Sequence, residues 1–294
     1  MACECTEYTG QQIRQMLKKI LIAAGWLVIW QLAALLIDNT ILMAGPIEVA
    51  SALAGMVCTE DFWASLAFSF LRIAGGFLCG SAAGILLAYL AYRRSLLREI
   101  LAPLVTILKT APIASFIILA LIWFGSSRIS FVISLIVVFP MLYLNTMEGL
   151  QSIDGKLLEM ADVYRIPSAS RLRCIELPAV IPFLTGAFRL ALGMSWRSGV
   201  AAELIGQYKL SIGNQLYMDK ITLDTAGILA WTFVIILVSW LFEKVFLWLF
   251  GLLTSPVRGA QHNTNRPAGT DAPQGGAAGT GQPQRQQAGR GPEE

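Results

Sequence analysis

The sequence predicts an all-α integral membrane protein with six transmembrane helices. Its 294 residues are 55% hydrophobic and only 14% charged. Soluble domains carry about 25% charged residues, so this deficit indicates a surface that faces lipid. The chain also divides into six apolar stretches, each long enough for a helix that crosses a hydrocarbon core of about 30 Å.

The predicted spans follow one another with short loops between most of them. The first follows Lys18 and Lys19, as a secretory signal would, but it is long for a signal and no small-x-small cleavage site precedes Asp38. We therefore expect a retained helix after a cytoplasmic segment, 1–19. Small residues in the second span, such as Gly76 and Gly80, indicate close packing on other helices. The spans are 20–37, 65–91, 100–124, 129–147, 181–205 and 226–242.

The distribution of Lys and Arg predicts the orientation. The amino-terminal segment, the second loop and the fourth loop hold three, three and four of these residues, against none in the first loop, one in the third and two in the fifth. Because cytoplasmic loops carry the excess of positive charge, both termini and the second and fourth loops are expected in the cytoplasm.

Composition excludes several other classes of protein. The net charge of +3 indicates no nucleic-acid partner, and the only histidine, His262, lies in a polar tail. Cys3 and Cys5 form a Cys-x-Cys, but no second pair or nearby histidine completes a metal site, so free thiols are expected. The segment 255–294 is rich in Gly, Pro, Gln and Ala and is predicted to be a disordered cytoplasmic tail.

The fourth loop, 149–180, is long for a connection in a compact bundle and is therefore a candidate functional element. Ile153, Leu157 and Ala161 follow the spacing of one helical face. Pro167 is expected to end this first helix, and Ser168 or Ser170 to cap a second one that ends at Glu176. The pattern predicts a helix–turn–helix that projects from the inner face.

Within this loop, Glu159-Met160-Ala161 and the later Ile175-Glu176-Leu177-Pro178 resemble the EAA loop of ABC importer permeases. The runs at 186–196 and 201–206 are similar to permeases of the nitrate, sulfonate and taurine type. The similarity covers about 61–244, which is the expected permease core. In one place the sequence departs from the family: Arg165, preceded by Tyr164, stands where a glycine is usual.

The resemblance implies a type I ABC importer permease fold in which the helix–turn–helix is the coupling loop. It implies a permease subunit in a prokaryotic plasma (inner) membrane, not an enzyme, that forms a homodimer and works with ATP-binding cassette subunits and an extracytoplasmic substrate-binding protein. The chain has no Gly-x-x-x-x-Gly-Lys-[Ser/Thr] loop, so ATP is expected on the partner subunit and no cofactor in this chain. The implied solutes are nitrate, sulfonates, taurine, bicarbonate or a pyrimidine-type vitamin precursor. The residues implied in ATPase coupling are Glu159, Met160, Ala161, Tyr164, Arg165, Leu177 and Pro178.

A charged side chain inside a membrane span costs free energy, so each such residue is a candidate for a function. Arg189 and Arg197 lie eight positions apart in the fifth span, roughly 80° around a helix, and with Glu203 they are candidates for a translocation path. The alternative is that such residues extend to lipid headgroups or pair with one another. A secondary transporter or channel, and a membrane scaffold, are the alternative functions.

Overall fold

A computed structural model describes residues 2–37, 39 and 41–264, and its secondary structure in these residues is entirely helical, as predicted. The short helix Ser168–Arg171 continues through a π-helical turn at Leu172–Glu176 into the long helix Leu177–Gly206. These three segments form one continuous rod from Ser168 to Gly206. The helices are α1 (Ala2–Ile37), α2 (Pro46–Val57), α3 (Glu60–Arg93), α4 (Ser95–Thr110), α5 (Ile113–Phe124), α6 (Ile129–Gln151), α7 (Gly155–Val163), α8 (Ser168–Arg171), α9 (Leu177–Gly206), α10 (Ile212–Thr222) and α11 (Thr225–Thr264).

Among the described residues, four helices are long and apolar enough to cross a membrane: α3, α6, α8 with α9, and α11. The bent pair α4 and α5 together would make a fifth. The described apolar part of α1, Ala24–Ile37, is shorter than a full span. The predicted total of six spans therefore stays a prediction.

Within the predicted third span, 100–124, the helix is interrupted, and α4 and α5 are bent by 108° relative to each other. The break lies at Ala111 and Pro112. Ala111 has left the helical region, with φ −71° and ψ 144°, as the steric demand of a following proline ring favours. Pro103 lies inside α4 without breaking it.

The close contact between α3 and α6 depends on a ridge of glycines at every fourth position of α3. A Cβ added at Gly80 would lie 2.9 Å from the Leu135 carbonyl oxygen, and one at Gly84 would lie 2.8 Å from the Phe139 carbonyl oxygen. Gly76 approaches the Phe131 carbonyl even more closely. The prediction that these small residues face another helix is confirmed.

The core lies where α3, α6 and α9 meet α11, and aromatic rings fill it. Phe77 of α3 and Phe188 of α9 lie 5.0 and 4.9 Å from the ring of Phe246 in α11. Buried aliphatic side chains of α6, such as Leu142, complete the cluster. This core fixes the ends of α6 and α9, and the fourth loop connects those two ends.

Three further details depart from the sequence expectations. The second loop helix is not capped by Ser168 or Ser170, since Pro167 is its N-cap residue, and it does not end at Glu176. A proline fits there because the first backbone N–H groups of a helix have no partner within it. Helix α11 runs to Thr264, so it extends into the segment predicted as a disordered tail; residues 265–294 lie outside the described part.

Candidate functional site

The fourth loop is built around α7, whose two ends are both closed by hydrogen bonds to backbone N–H groups. At its start the Lys156 N–H donates to the Asp154 carboxylate at 3.0 Å. At its end the N–H of Ile166 donates to the carbonyl of Ala161 at 2.9 Å, and the N–H of Arg165 donates to the carbonyl of Asp162 at 3.1 Å. This pair of bonds is a Schellman motif, which gives a nine-residue helix a defined end.

Arg165 occupies the position where glycine is usual in the family that the sequence resembles, and its backbone has the left-handed φ of +51°. Such a conformation costs a residue with a Cβ about 1–2 kcal/mol. The tight turn is therefore present without glycine, held by the two hydrogen bonds that end α7.

The apolar face expected to meet a partner is partly occupied by the chain itself. Ala161 is only 2% exposed, and Ile153 packs against the main core cluster. Two apolar side chains at the end of α7 are much more exposed, Val163 at 79% and Tyr164 at 75%. We call the four exposed apolar residues of α7 and its C-cap, Leu157, Met160, Val163 and Tyr164, the loop patch.

The remaining residues implied in coupling divide between surface and interior. Glu159 and Arg165 are exposed beside the loop patch. Leu177 is 37% exposed, whereas Pro178 is buried at the start of α9. The structure thus brings Glu159, Met160, Tyr164 and Arg165 to one surface and leaves Ala161 and Pro178 beneath it.

A second feature is a groove between α4 and α6 that sequence reasoning did not assign. Two adjoining cavities of about 370 and 460 Å³ share Lys109 and Glu148 in their walls. Neither residue belongs to any ion pair found among the described side chains. We call this feature the α4–α6 groove; its polar walls are formed by Arg98, Thr106, Lys109, Asn145, Glu148 and Gln151.

The signal for this groove was present in the sequence, because Lys109 and Glu148 lie in or next to apolar runs. What the sequence lacked was their proximity. The bend after α4 brings Ala111 and Ile113 to the same cavity that Lys109 and Glu148 line.

The three residues predicted for a translocation path do not come together. Arg189 and Arg197 are exposed on α9, on the face where a Cβ at Gly186 or Gly193 would meet nothing within 4 Å. Glu203, in contrast, is fully buried. It lies near the other end of α9 and fastens neighbouring segments instead of lining a cavity.

The partners of Glu203 show this fastening role. Its carboxylate accepts a hydrogen bond from the Ser69 hydroxyl of α3 at 2.7 Å and a longer one from the Gly213 N–H of α10 at 3.4 Å. Ser69 in turn accepts from the Ile212 N–H at 2.9 Å. Glu203 thereby holds the start of α10 against α3 and α9.

Helix α10 ends beside two carboxylates. The Gly227 N–H donates to Asp224 at 3.0 Å at the start of α11. Burial, together with the charge of Asp224, raises the pKa of Asp219 to about 6. Over the described residues, no group of three His, Cys, Asp or Glu side chains is placed to hold a metal ion.

Comparison with known proteins identifies the family to which the chain belongs. The model of the family described as "Binding-protein-dependent transport system inner membrane component" matches residues 80–259. A putative aliphatic sulfonates transport permease protein of Bacillus subtilis is 30% identical over 193 residues, 65% of this chain and 70% of its own. A bicarbonate transport system permease protein of Synechococcus elongatus is 29% identical over 63% of this chain and 70% of its own. A nitrate import permease protein of Leptolyngbya laminosa is 31% identical over 49% of this chain and 52% of its own length.

The family match covers more than half of the chain and includes the fourth loop, α9 and most of α11. Its members are membrane transport permeases, not enzymes. The apolar helices agree with this class, since four of the described helices are able to cross a membrane. The chain is therefore a multi-pass inner-membrane permease of the binding-protein-dependent ABC importer family.

Proposed function

We propose that this chain forms the translocation pathway of an ATP-driven importer for a small anion and receives its driving force from a separate ATPase. The complete assembly in this proposal has six spans in each of two identical permease chains. Both termini and the fourth loop lie in the cytoplasm, and a substrate-binding protein docks on the opposite side. ATP is bound by the ATPase subunits and not by this chain.

The loop patch is the observation that supports this proposal most directly. Val163 and Tyr164 are 79% and 75% exposed on the fourth loop. An apolar cluster outside the lipid indicates a protein partner. The well-defined end of α7 presents these side chains on a rigid support, as a contact that transmits movement requires.

The proposed solute path is the α4–α6 groove. Burial of an unpaired lysine and polar side chains among membrane-spanning helices costs free energy. Their presence in this groove therefore indicates a water-filled route. Lys109 supplies a positive charge that attracts an anion. The relatives are named for sulfonates, bicarbonate and nitrate, all of which are anions.

The second permease copy is proposed to pack on the open face of α9. Gly186 and Gly193 leave space on this face, and Leu190 beside them is 65% exposed. Small residues allow two membrane helices to approach closely. In this arrangement Arg189 and Arg197 lie near the boundary between the two copies. Gly193→Cys should then form a disulfide-linked dimer in membranes, whereas Leu78→Cys, on an exposed part of α3, should not.

The test of coupling changes the loop patch without touching the interior. Burial of a whole valine side chain contributes about 1.5–3 kcal/mol, and 79% of Val163 is available for it. A carboxylate at this position would also be desolvated in the contact. Val163→Asp should insert into the membrane normally yet fail to copurify the ATPase, whereas Val163→Leu should retain it. Normal copurification and ATP-dependent uptake by Val163→Asp would refute the proposal.

The path has a separate test. Lys109→Gln should reduce anion uptake while ATPase copurification is unchanged, and Lys109→Arg should keep most of the uptake because the charge is conserved. Equal uptake by Lys109→Gln and the unsubstituted protein would remove Lys109 from the path.

A secondary transporter is the second candidate, and the broken α4–α5 pair favours it, because broken helices are common in that class. Vesicles that contain this chain alone, without ATP or ATPase, separate the two candidates. Uptake driven by an ion gradient would support the secondary transporter, and uptake that requires both ATP and the ATPase would support the importer.

A further inference from the structure

Four charged side chains form one connected network where the fourth loop meets the bundle. Glu176 pairs with Arg93 at 2.7 Å and with Arg171 at 3.4 Å, and Arg171 also pairs with Asp162 at 2.8 Å. Every ion pair found among the described residues belongs to this network. We call Arg93, Asp162, Arg171 and Glu176 the charge cluster.

Glu176 is the centre of the charge cluster. Its side chain is fully buried, and both arginines approach the same oxygen, Oε1. A buried carboxylate is tolerated only with such compensation, because its desolvation is costly. The residue also ends the π-helical turn Leu172–Glu176, a type of helix irregularity that is frequent at functional sites.

The charge cluster links α7 to α3 and α9, which already pack together in the main core. Arg93 is the last residue of α3, Asp162 lies on α7, and Glu176 immediately precedes the long helix α9. Helix α7 itself buries only one residue, Ala161. Side-chain exposure falls along the series, from 72% at Asp162 through 18% at Arg171 to 0% at Glu176, so the network leads from the loop surface into the bundle.

We propose that Glu176 is a positioning residue for transport: it transmits displacement of α7 to α3 and α9 without touching the ATPase. This inference rests on the proposed function, since it assumes that α7 is displaced by a partner. It assigns the loop patch to docking and the charge cluster to transmission. The two roles are therefore separable, and loss of the charge cluster should leave the ATPase bound.

The experiment uses the complete importer, purified with its ATPase and reconstituted in liposomes with the binding protein. Three quantities are measured: ATPase copurification, ATP hydrolysis, and uptake of the one probe among labelled nitrate, taurine and bicarbonate that the unsubstituted importer transports. Glu176→Gln keeps the shape of the side chain and removes its charge. We expect the ATPase to remain bound and to hydrolyse ATP, while uptake per ATP falls by about tenfold, the ratio that corresponds to 1.4 kcal/mol.

A matched pair of arginines controls for general effects of lost charge. Arg171→Gln removes two of the three ion pairs, whereas Arg173→Gln removes an exposed arginine two positions away that belongs to none. Arg171→Gln should uncouple uptake from hydrolysis, and Arg173→Gln should not. If Glu176→Gln fails to insert, this pair still decides the question.

Three results would overturn the inference. Normal uptake per ATP in Arg171→Gln would show that the charge cluster transmits nothing. Loss of ATPase copurification in the same variant would make the charge cluster part of the docking surface. Equal uncoupling by Arg173→Gln would trace the effect to surface charge. An unsubstituted importer without ATP-dependent uptake would instead contradict the proposed function.

Discussion

The glycine ridge of α3 gives a sharp test of the fold, because neighbouring glycines have opposite surroundings. At Gly80 an added Cβ would lie 2.9 Å from the Leu135 carbonyl oxygen, 3.1 Å from Leu135 Cα and 3.2 Å from Val138 Cβ. At Gly75 an added Cβ would touch only the ring of Phe131, at an ordinary contact distance of 3.4 Å. Gly80→Ala and Gly75→Ala are therefore a matched pair.

The magnitude follows from these contacts. Two of the three atoms that face Gly80 belong to the α6 backbone and the third is a Cβ, so no side-chain rotation relieves the clash and α3 must move outward. A gap of about 0.5–1 Å already removes a quarter to a half of the dispersion energy of the contacts affected. Overpacking of this kind costs about 1–3 kcal/mol. Gly75→Ala avoids this cost and gains up to about 1 kcal/mol of helix propensity.

The assay is reversible unfolding in mixed micelles by titration with sodium dodecyl sulfate, followed by tryptophan fluorescence and circular dichroism. Gly80→Ala should lower the free energy of unfolding by about 1–3 kcal/mol, and Gly75→Ala should leave it unchanged or raise it. Equal destabilisation by both substitutions, or none by Gly80→Ala, would refute the close packing of α3 on α6.

Three further predictions concern topology, pH and the arginines of α9. Cys58 should react with an impermeant thiol reagent in intact cells and Cys174 only after permeabilisation, because the Lys and Arg distribution places them on opposite sides; external labelling of Cys174 would reverse the orientation. The pKa of Asp219 is raised to about 6 from 3.8, so the folded protein favours the protonated carboxyl group. The stabilisation that this group contributes is complete below about pH 4 and is lost as the pH rises through 6. Asp219→Asn should therefore raise the melting temperature at pH 7.5 but not at pH 4. If Arg189 or Arg197 lines the anion path, its replacement by Gln should reduce uptake with the ATPase still bound, and normal uptake by both variants would exclude them.

The sequence predicted the helices well because a bilayer imposes one solution on an apolar segment. Every backbone polar group must be satisfied within the helix, so hydropathy alone locates α6 and the start of α11 closely. The glycines of α3 likewise allow a single interpretation in a membrane protein, because small residues there are enriched at contacts between helices.

The sequence offered two prolines in the third span at which the helix could bend and did not decide between them. Pro103 and Pro112 carry the same local signal, yet only Pro112 lies at a break. The difference depends on what packs around each helix: α4 packs with Phe139 and Tyr143 of α6, whereas α5 packs with Ile129 and Ile133. A proline permits a bend, and tertiary contacts decide whether it forms.

The charge cluster was invisible for a related reason. Arg93 and Glu176 are 83 positions apart. The arginine that lies at helical spacing from Glu176, Arg173, is not one of its ion-pair partners. Sequence patterns report on faces of single helices, whereas this contact requires α3 and α9 to end at the same level. The α4–α6 groove is similar, since Lys109 and Glu148 meet only because α4 packs beside α6.

Ala161 shows how the structure changes the choice of experiment. The resemblance to the EAA loop makes Ala161 an obvious position to substitute, and a face formed with Ile153 and Leu157 would place it in a partner contact. It is in fact 2% exposed, on the buried face of α7. Ala161→Asp would bury a carboxylate inside this chain and disturb α7, so loss of the ATPase would not distinguish a broken contact from a broken loop. Val163, on the same helix and 79% exposed, makes that distinction, because a change there leaves the interior of the loop intact.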